Sequence, residues 1–141
     1  MKVRDVMTKN VAYVNPAETV SETAHLMQMH NVGSIPVCDQ SGIVGIVTDR
    51  DIVVRSVAHG KNPQQTPVSD IMTTGISTVT PEMEMNDVAK QMANSQIRRV
   101  PVIENNTLVG IVALGDVAVD AKYDTEVADT LMDISKPTSP Q

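Results

Sequence analysis

The sequence predicts an α/β (α+β) domain built from two copies of one β-α-β-β-α unit. Three observations carry that prediction. Residues 3–53 lie over residues 68–118 at a constant offset of 65 without a gap. Each copy puts a proline after a short β-branched stretch, at Pro16 and Pro81. Each also repeats one apolar run, Val44-Gly45-Ile46-Val47 and Val109-Gly110-Ile111-Val112. A period this long exceeds a solenoid unit. A repeat of about 50–60 residues is marginal alone, so the copies are expected to share one core across a pseudo-two-fold axis. Clefts at such an axis come in pairs, and a ligand is sought there.

Each copy opens with a short amphipathic turn, Val3–Met7 or Val68–Met72, and a strand-like stretch, Val11–Val14 or Ile76–Val79. Pro16 and Pro81 close that strand and admit a helix. In the first copy Thr19-x-x-Glu22 reads as a capping box, so the helix is expected from there to about His30. Val20, Ala24 and Met27, matched by Met85, Ala89 and Met92, fall on one helical stripe and are expected to face the core. Ser34–Cys38 and Arg99–Ile103 follow as short β segments. The turns Asp39-Gln40-Ser41-Gly42 and Glu104-Asn105-Asn106-Thr107 reverse the chain. Ile43–Val47 and Leu108–Val112, apolar without alternation, read as strands buried on both faces. Second helices are expected over Ile52–Ala58 and Val117–Lys122, and Thr125–Ile134 as one more short helix. The organisation is therefore repeat 1 over residues 1–60, a Pro-punctuated linker over 61–67, repeat 2 over 68–123 and a tail over 124–141.

Composition narrows the function. The chain has 141 residues, a formal charge of -6, and Tyr13 and Tyr123 as its only aromatic rings. Both features argue against nucleic acid, which needs a basic face and, for single strands, aromatic platforms. The N-terminus has no apolar stretch of the kind a signal peptide needs, and the run Ile43–Val47 is far too short to cross a bilayer. The single cysteine, Cys38, excludes an intrachain disulfide and fits a reducing, cytoplasmic location.

The sharpest local pattern is Gly45-Ile46-Val47-Thr48-Asp49-Arg50-Asp51. A strand stops, offers a hydroxyl, and three residues later offers a carboxylate where a helix begins. Thr48 and the backbone N–H groups beside it could donate to a phosphate. Asp51, an acceptor-only group, could take both hydroxyls of a ribose. The alternative is that Thr48 or Asp51 simply caps the helix. Other candidates are weaker. His25, His30 and His59 lack metal-ligand spacing, and no metal site is expected. Cys38 has no activating base beside it and reads as a small buried hydrophobe. Asp49 and Asp51 lack a third carboxylate for a cation, and Gly42-x-x-Gly45 lacks the Lys and Ser/Thr of a phosphate loop. The methionines, Met27, Met29, Met85 and Met92 among them, read as core and subunit interface.

The ordered marks in both copies resemble a cystathionine-β-synthase-type (CBS) domain pair, or Bateman module. They are Met7-Thr8 and Met72-Thr73, Pro16 and Pro81, Ala24-x-x-Met27 and Ala89-x-x-Met92, the stretches 31–37 and 96–102 that end in Pro-Val, and 45–51 and 110–116. The likeness runs from Val3 to about Lys122 and leaves no room for an enzyme or transporter domain, as in small stand-alone bacterial CBS-pair proteins. It implies two units packed sheet to sheet with helices outside, and a homodimer through those helices. It also implies an adenine-nucleotide ligand (AMP, ADP or ATP, with S-adenosylmethionine or NAD as further possibilities) sensed without catalysis for a regulated protein partner. On this resemblance Thr48 and Asp51 contact phosphate and ribose, and Asp116 repeats the ribose role. Ile35 and Val100, with Val11 and Ile76, form the apolar walls around adenine.

The second copy departs from the pattern, with Ala113 in place of Thr48 and Leu114 in place of Asp49. It gains Arg98-Arg99 where the first has Gly33-Ser34. A guanidinium is a strong phosphate partner, and that reading is preferred to a solvated strand edge because an acidic protein needs local positive charge to hold an anion. One good site and one weak or empty site is the expectation. The rival readings are a ligand-free structural or protein-interaction module and an enzyme. No nucleophile–base constellation supports the enzyme.

Overall fold

The computed structural model describes residues 1–118 and 132–134. The elements run α1 (Val3–Val6), α2 (Val20–His30), β1 (Ser34–Asp39), β2 (Gly42–Thr48) and α3 (Asp49–Asp51), which continues as a π-helical turn (Ile52–Val57). A 3₁₀ turn (Val68–Asp70), α4 (Met85–Ser95), β3 (Arg99–Glu104), β4 (Thr107–Ala113) and α5 (Leu114–Ala118) complete the second copy. Met132–Ile134 is helical, while the rest of the expected helix over 125–134, most of the tail and residues 119–122 of the expected last helix lie outside the described residues.

The chain forms two compact units that do not coincide with the two repeats. One holds residues 12–76 with 106–108; the other holds residues 1–11, 77–105 and, among the described residues, 109–118 and 132–134. The opening segment of each repeat is therefore built into the unit formed by the other. In the first-repeat unit, Val68 N donates to Glu18 O at 2.8 Å and Val20 N to Thr66 O at 2.9 Å. In the second-repeat unit, Met85 N donates to Met1 O and Val3 N to Met83 O, both at 2.9 Å. Arg4 and Lys2 pair with Glu82 there.

In the first-repeat unit, β1 and β2 form an antiparallel ribbon in register from Ser34 opposite Thr48 to Asp39 opposite Gly42, with an irregularity between Val37 and Cys38. Asp39 makes the turn by accepting from Ser41 N at 2.7 Å and Ser41 Oγ at 2.6 Å. Helix α2 starts as predicted: Thr19 Oγ1 accepts from Glu22 N at 3.1 Å. It ends where Asn31 adopts a left-handed conformation, φ 53°. Val20 and Met27 enter a core with Val14, Ile35, Val37, Val47, Val68 and Ile71. Thr23 is fully buried, while the expected core residue Ala24 is only half-buried. The Thr23 hydroxyl joins the core because it donates to Thr19 O at 3.0 Å.

In the second-repeat unit, Met85, Val88, Ala89 and Met92 are all buried along α4, and its core adds Val3, Val79, Val100, Val102 and Val112. The β3–β4 turn has Asn105 and Asn106 at φ 51° and 66°, a conformation asparagine tolerates well.

Three expectations need correction. The stretches Val11–Val14 and Ile76–Val79 are not strands: each contributes a single parallel bridge, Val14 with Val37 and Val79 with Val102. The first is cut short at Asn15, whose Oδ1 accepts from Ala17 N at 2.9 Å and turns the chain at once. Strand β2 is not buried on both faces. Gly45 and Val47 are buried, whereas Ile43, Val44 and Ile46 are half-buried, as an antiparallel two-stranded ribbon dictates. The helix after it begins at Asp49, earlier than Ile52, and then widens into the π turn.

Candidate nucleoside site

The turn leaving β2 is a closed hydrogen-bonding unit. Thr48 Oγ1 accepts from Asp51 N at 3.0 Å, and Asp51 Oδ2 accepts from Thr48 N at 3.0 Å. This reciprocal pair caps α3, so the capping alternative read from the sequence is realised. It does not exhaust Asp51, because an ionised carboxylate offers about four acceptor positions. Asp51 is 7% exposed, yet two further groups converge on it. Thr73 Oγ1 stands 3.1 Å from each carboxylate oxygen. Arg55 Nη1 lies 3.8 Å from Oδ1 and also donates to the carbonyls of Ile71 and Met72 at 3.2 Å.

Local backbone structure puts these groups together. Thr73 pairs with Ile46 through two backbone hydrogen bonds of 2.8 and 2.9 Å, which lay residues 71–73 alongside β2. The π turn, closed by Ala58 N to Val53 O at 2.9 Å, carries Arg55 one turn beyond Asp51. Single π turns recur at functional sites. Ser34, opposite Thr48 in the ribbon, buries a hydroxyl that finds no hydrogen-bond partner among the described residues.

The corresponding turn of the second-repeat unit is plainer. Asp116 Oδ2 accepts from Ala113 N at 2.8 Å, and Ala113 has no hydroxyl to return a bond. Arg98 and Arg99 are exposed, and the Arg98 carbonyl accepts from Leu114 N at 2.8 Å. Thr8 pairs with Ile111 as Thr73 does with Ile46.

The expected apolar residues fall differently. Ile35 and Val100 are 1% and 0% exposed and belong to the two cores, so neither has surface to offer a ring. Val11 and Ile76 are half-buried. Because the opening segments are exchanged, Val11 shares a unit with Val100, and Ile76 shares one with Ile35. Thr48, Asp51, Ile35 and Ile76 are thus together in one unit; Asp116, Arg98, Arg99, Val100 and Val11 are in the other. Sequence reasoning missed Thr73 and Arg55. Thr73 was visible only as half of a repeated Met-Thr pair, with nothing local to tie it to Asp51.

Away from the turn, burial raises the Cys38 thiol above its ordinary pKa, with the Asp39 carboxylate adding to the rise. The hydrogen bonds from Ser41 hold Asp39 below the usual carboxylate value. Among the described residues, no group of three or more His, Cys, Asp or Glu could hold a metal ion. None of the helices among them is long and apolar enough to cross a membrane.

Comparison with known proteins bears on this geometry. A family model described as "CBS domain" matches residues 3–57 and 68–119. The chain is similar to the CBS domain-containing protein YhcV of Bacillus subtilis, 47% identical over 133 residues that cover 94% of each chain. Among solved structures it is similar to Hypoxic Response Protein I with two coordinated zinc ions: 33% identity, TM-score 0.78, covering 84% of this chain and 98% of that one. It is also similar to the CBS domain pair of protein MJ0100 in complex with 5′-methylthioadenosine and S-adenosyl-L-methionine: 26% identity, TM-score 0.74, covering 84% and 94%. With a match in each half and the same fold in both neighbours, the chain belongs to the CBS-domain family and carries two copies of the domain.

Proposed function

We propose that this protein is a regulatory sensor that binds an adenosyl ligand at the Thr48–Asp51 turn and performs no catalysis of its own. The observation that carries the reading is Asp51: a carboxylate that is nine-tenths buried, oriented by bonds from both ends, with acceptor capacity left over. An acceptor so placed suits the paired hydroxyls of a ribose, and among the described residues no hydrogen bond takes up the Thr48 hydroxyl proton, which can then reach a phosphate. The bound 5′-methylthioadenosine and S-adenosyl-L-methionine of the MJ0100 pair support the ligand class. AMP, ADP and ATP are the ligands we favour, with S-adenosylmethionine or NAD as variants of the same adenosyl chemistry. In the second copy, Asp116 with Arg98 and Arg99 forms a lesser site, and Val11 and Ile76 supply apolar contact in their respective units. Binding would shift the population of a surface shown to a regulated protein partner. We further propose a homodimer working in the cytoplasm.

Calorimetric titration of the purified chain with AMP, ADP, ATP, S-adenosylmethionine and NADH tests the reading. Binding of at least one, lost in Asp51→Ala, is the expected result. No binding by any of the five, or full binding by Asp51→Ala, would sink it. Light scattering that returned a monomer at micromolar concentration would sink the homodimer. A second reading, a ligand-free interaction module, draws on the same turn, because the Thr48–Asp51 pair already satisfies a purely structural need.

A further inference from the structure

We infer that Thr73 and Arg55 are positioning residues for the Asp51 carboxylate, and that they concentrate adenosyl binding in the first copy. The inference rests on the ligand reading above and goes beyond it by naming which copy binds and what makes it competent. Its basis is a difference, beyond the change of Thr48 to Ala113, between two turns that backbone pairing places alike. Thr73 and Thr8 are placed alike by backbone pairing, with Ile46 and Ile111 respectively. Yet the Thr73 hydroxyl reaches both oxygens of Asp51, whereas among the described residues the Thr8 hydroxyl makes no hydrogen bond to Asp116. Arg55 faces Asp51, while the sequence equivalent of Arg55 in the second copy is Asp120, a reversal of charge.

The physical consequence concerns orientation and charge. A carboxylate capped through one oxygen alone can still rotate about its last bond, and binding must then carry the entropic cost of stopping it. A hydroxyl shared between both oxygens removes that freedom beforehand and presents Asp51 in one pose. Arg55 offsets part of the carboxylate's charge at a turn that must also tolerate a phosphate. Its guanidinium is held for this by the carbonyls of Ile71 and Met72, so the same short segment, residues 71–73, anchors both braces. Among the described residues Asp116 has one backbone donor and neither brace, and the sequence offers a carboxylate in place of the arginine.

The test is calorimetric titration of the full chain and its variants with AMP, ATP and S-adenosylmethionine. The wild type is expected to bind about one ligand per chain. Thr73→Val should weaken it about tenfold, the scale of one hydrogen bond to a charged group, and Thr73→Ser should restore it. Arg55→Gln, on a half-exposed side chain that leaves the core filled, should weaken it about two- to fivefold. Thr8→Val should leave it unchanged. The serine rescue and the Arg55 arm keep the test decisive if Thr73→Val folds poorly. Wild-type binding that is unaffected by Thr73→Val and Arg55→Gln, or equally weakened by Thr8→Val, overturns this inference alone. A wild type that binds none of the three ligands overturns it together with the reading it rests on.

Discussion

Gly45 and Thr73 approach so closely that a Cβ at position 45 would stand 2.8 Å from the Thr73 carbonyl oxygen. The same relation recurs 65 residues on, where a Cβ at Gly110 would meet the Thr8 carbonyl oxygen at 2.7 Å. In each case the obstacle is backbone already bonded into the ribbon, so it cannot step aside without breaking the pairing. Gly45→Ala and Gly110→Ala are each expected to destabilise the protein by about 1–3 kcal/mol, the usual cost of overpacking. Urea unfolding midpoints measure this. Midpoints equal to wild type would show that residues 71–73 and 7–9 slide freely past the ribbons.

Gly115 offers the opposite case. It sits within α5, and a Cβ added there would meet, among the described residues, no heavy atom within 4 Å beyond its chain neighbours and the backbone of its own helix. Glycine weakens a helix relative to alanine, so Gly115→Ala should stabilise the protein by about 0.5–1 kcal/mol. A higher midpoint in the same unfolding experiment is the expected outcome, and a lower one would reveal an unseen neighbour.

The β1–β2 turn gives a pH prediction. Asp39 is held below its ordinary pKa in the folded chain by Ser41, first through the hydroxyl and then through the backbone N–H. A carboxyl depressed on folding contributes stability above its unfolded pKa, and that contribution is lost as pH falls through the folded value. Ser41→Ala removes the larger of the two causes. The Asp39 carboxyl should then titrate at higher pH in carbon-detected NMR, closer to an unperturbed aspartate. No change in its titration would remove the hydroxyl from the account.

Cys38 should be a slow nucleophile. Burial, and then the neighbouring Asp39 carboxylate, raise its thiol pKa and suppress the reactive thiolate. Alkylation by iodoacetamide at pH 8 is expected to be much slower in the folded chain than in urea. Asp39→Asn should quicken the folded reaction, because it removes the lesser cause and leaves burial in place.

The local half of the fold was legible in the sequence. Thr19 caps α2, Asp39 and Asn105-Asn106 make the turns, and the Met85, Ala89 and Met92 stripe is buried, because each depends on neighbours a few residues away. What was not legible depends on distant partners. Periodicity could not reveal that residues 1–11 and 68–76 each complete the other repeat's unit. For the same reason Thr73, 22 residues from Asp51, did not enter the candidate site. The apolar stretches Val11–Val14 and Ile76–Val79 looked like strands by composition, and Asn15 cut the first down to one bridge. Ile35 and Val100 were read as walls because they precede prolines, yet the inward side of β1 and β3 commits them to the cores.

The exchange of opening segments also bears on how such a chain could have arisen. Neither contiguous half, cut in the linker, contains all of one unit; each lacks the piece that seals its core and, in the first, the threonine that steadies the carboxylate. An ancestor with a single copy could have taken that piece from a second chain, as a swapped dimer does. Fusing two copies turns the exchange into a contact within one molecule, where the effective concentration set by a short linker is in the millimolar range. On that view the duplication secured a closure that separate chains would lose on dilution, and the two halves were then free to specialise.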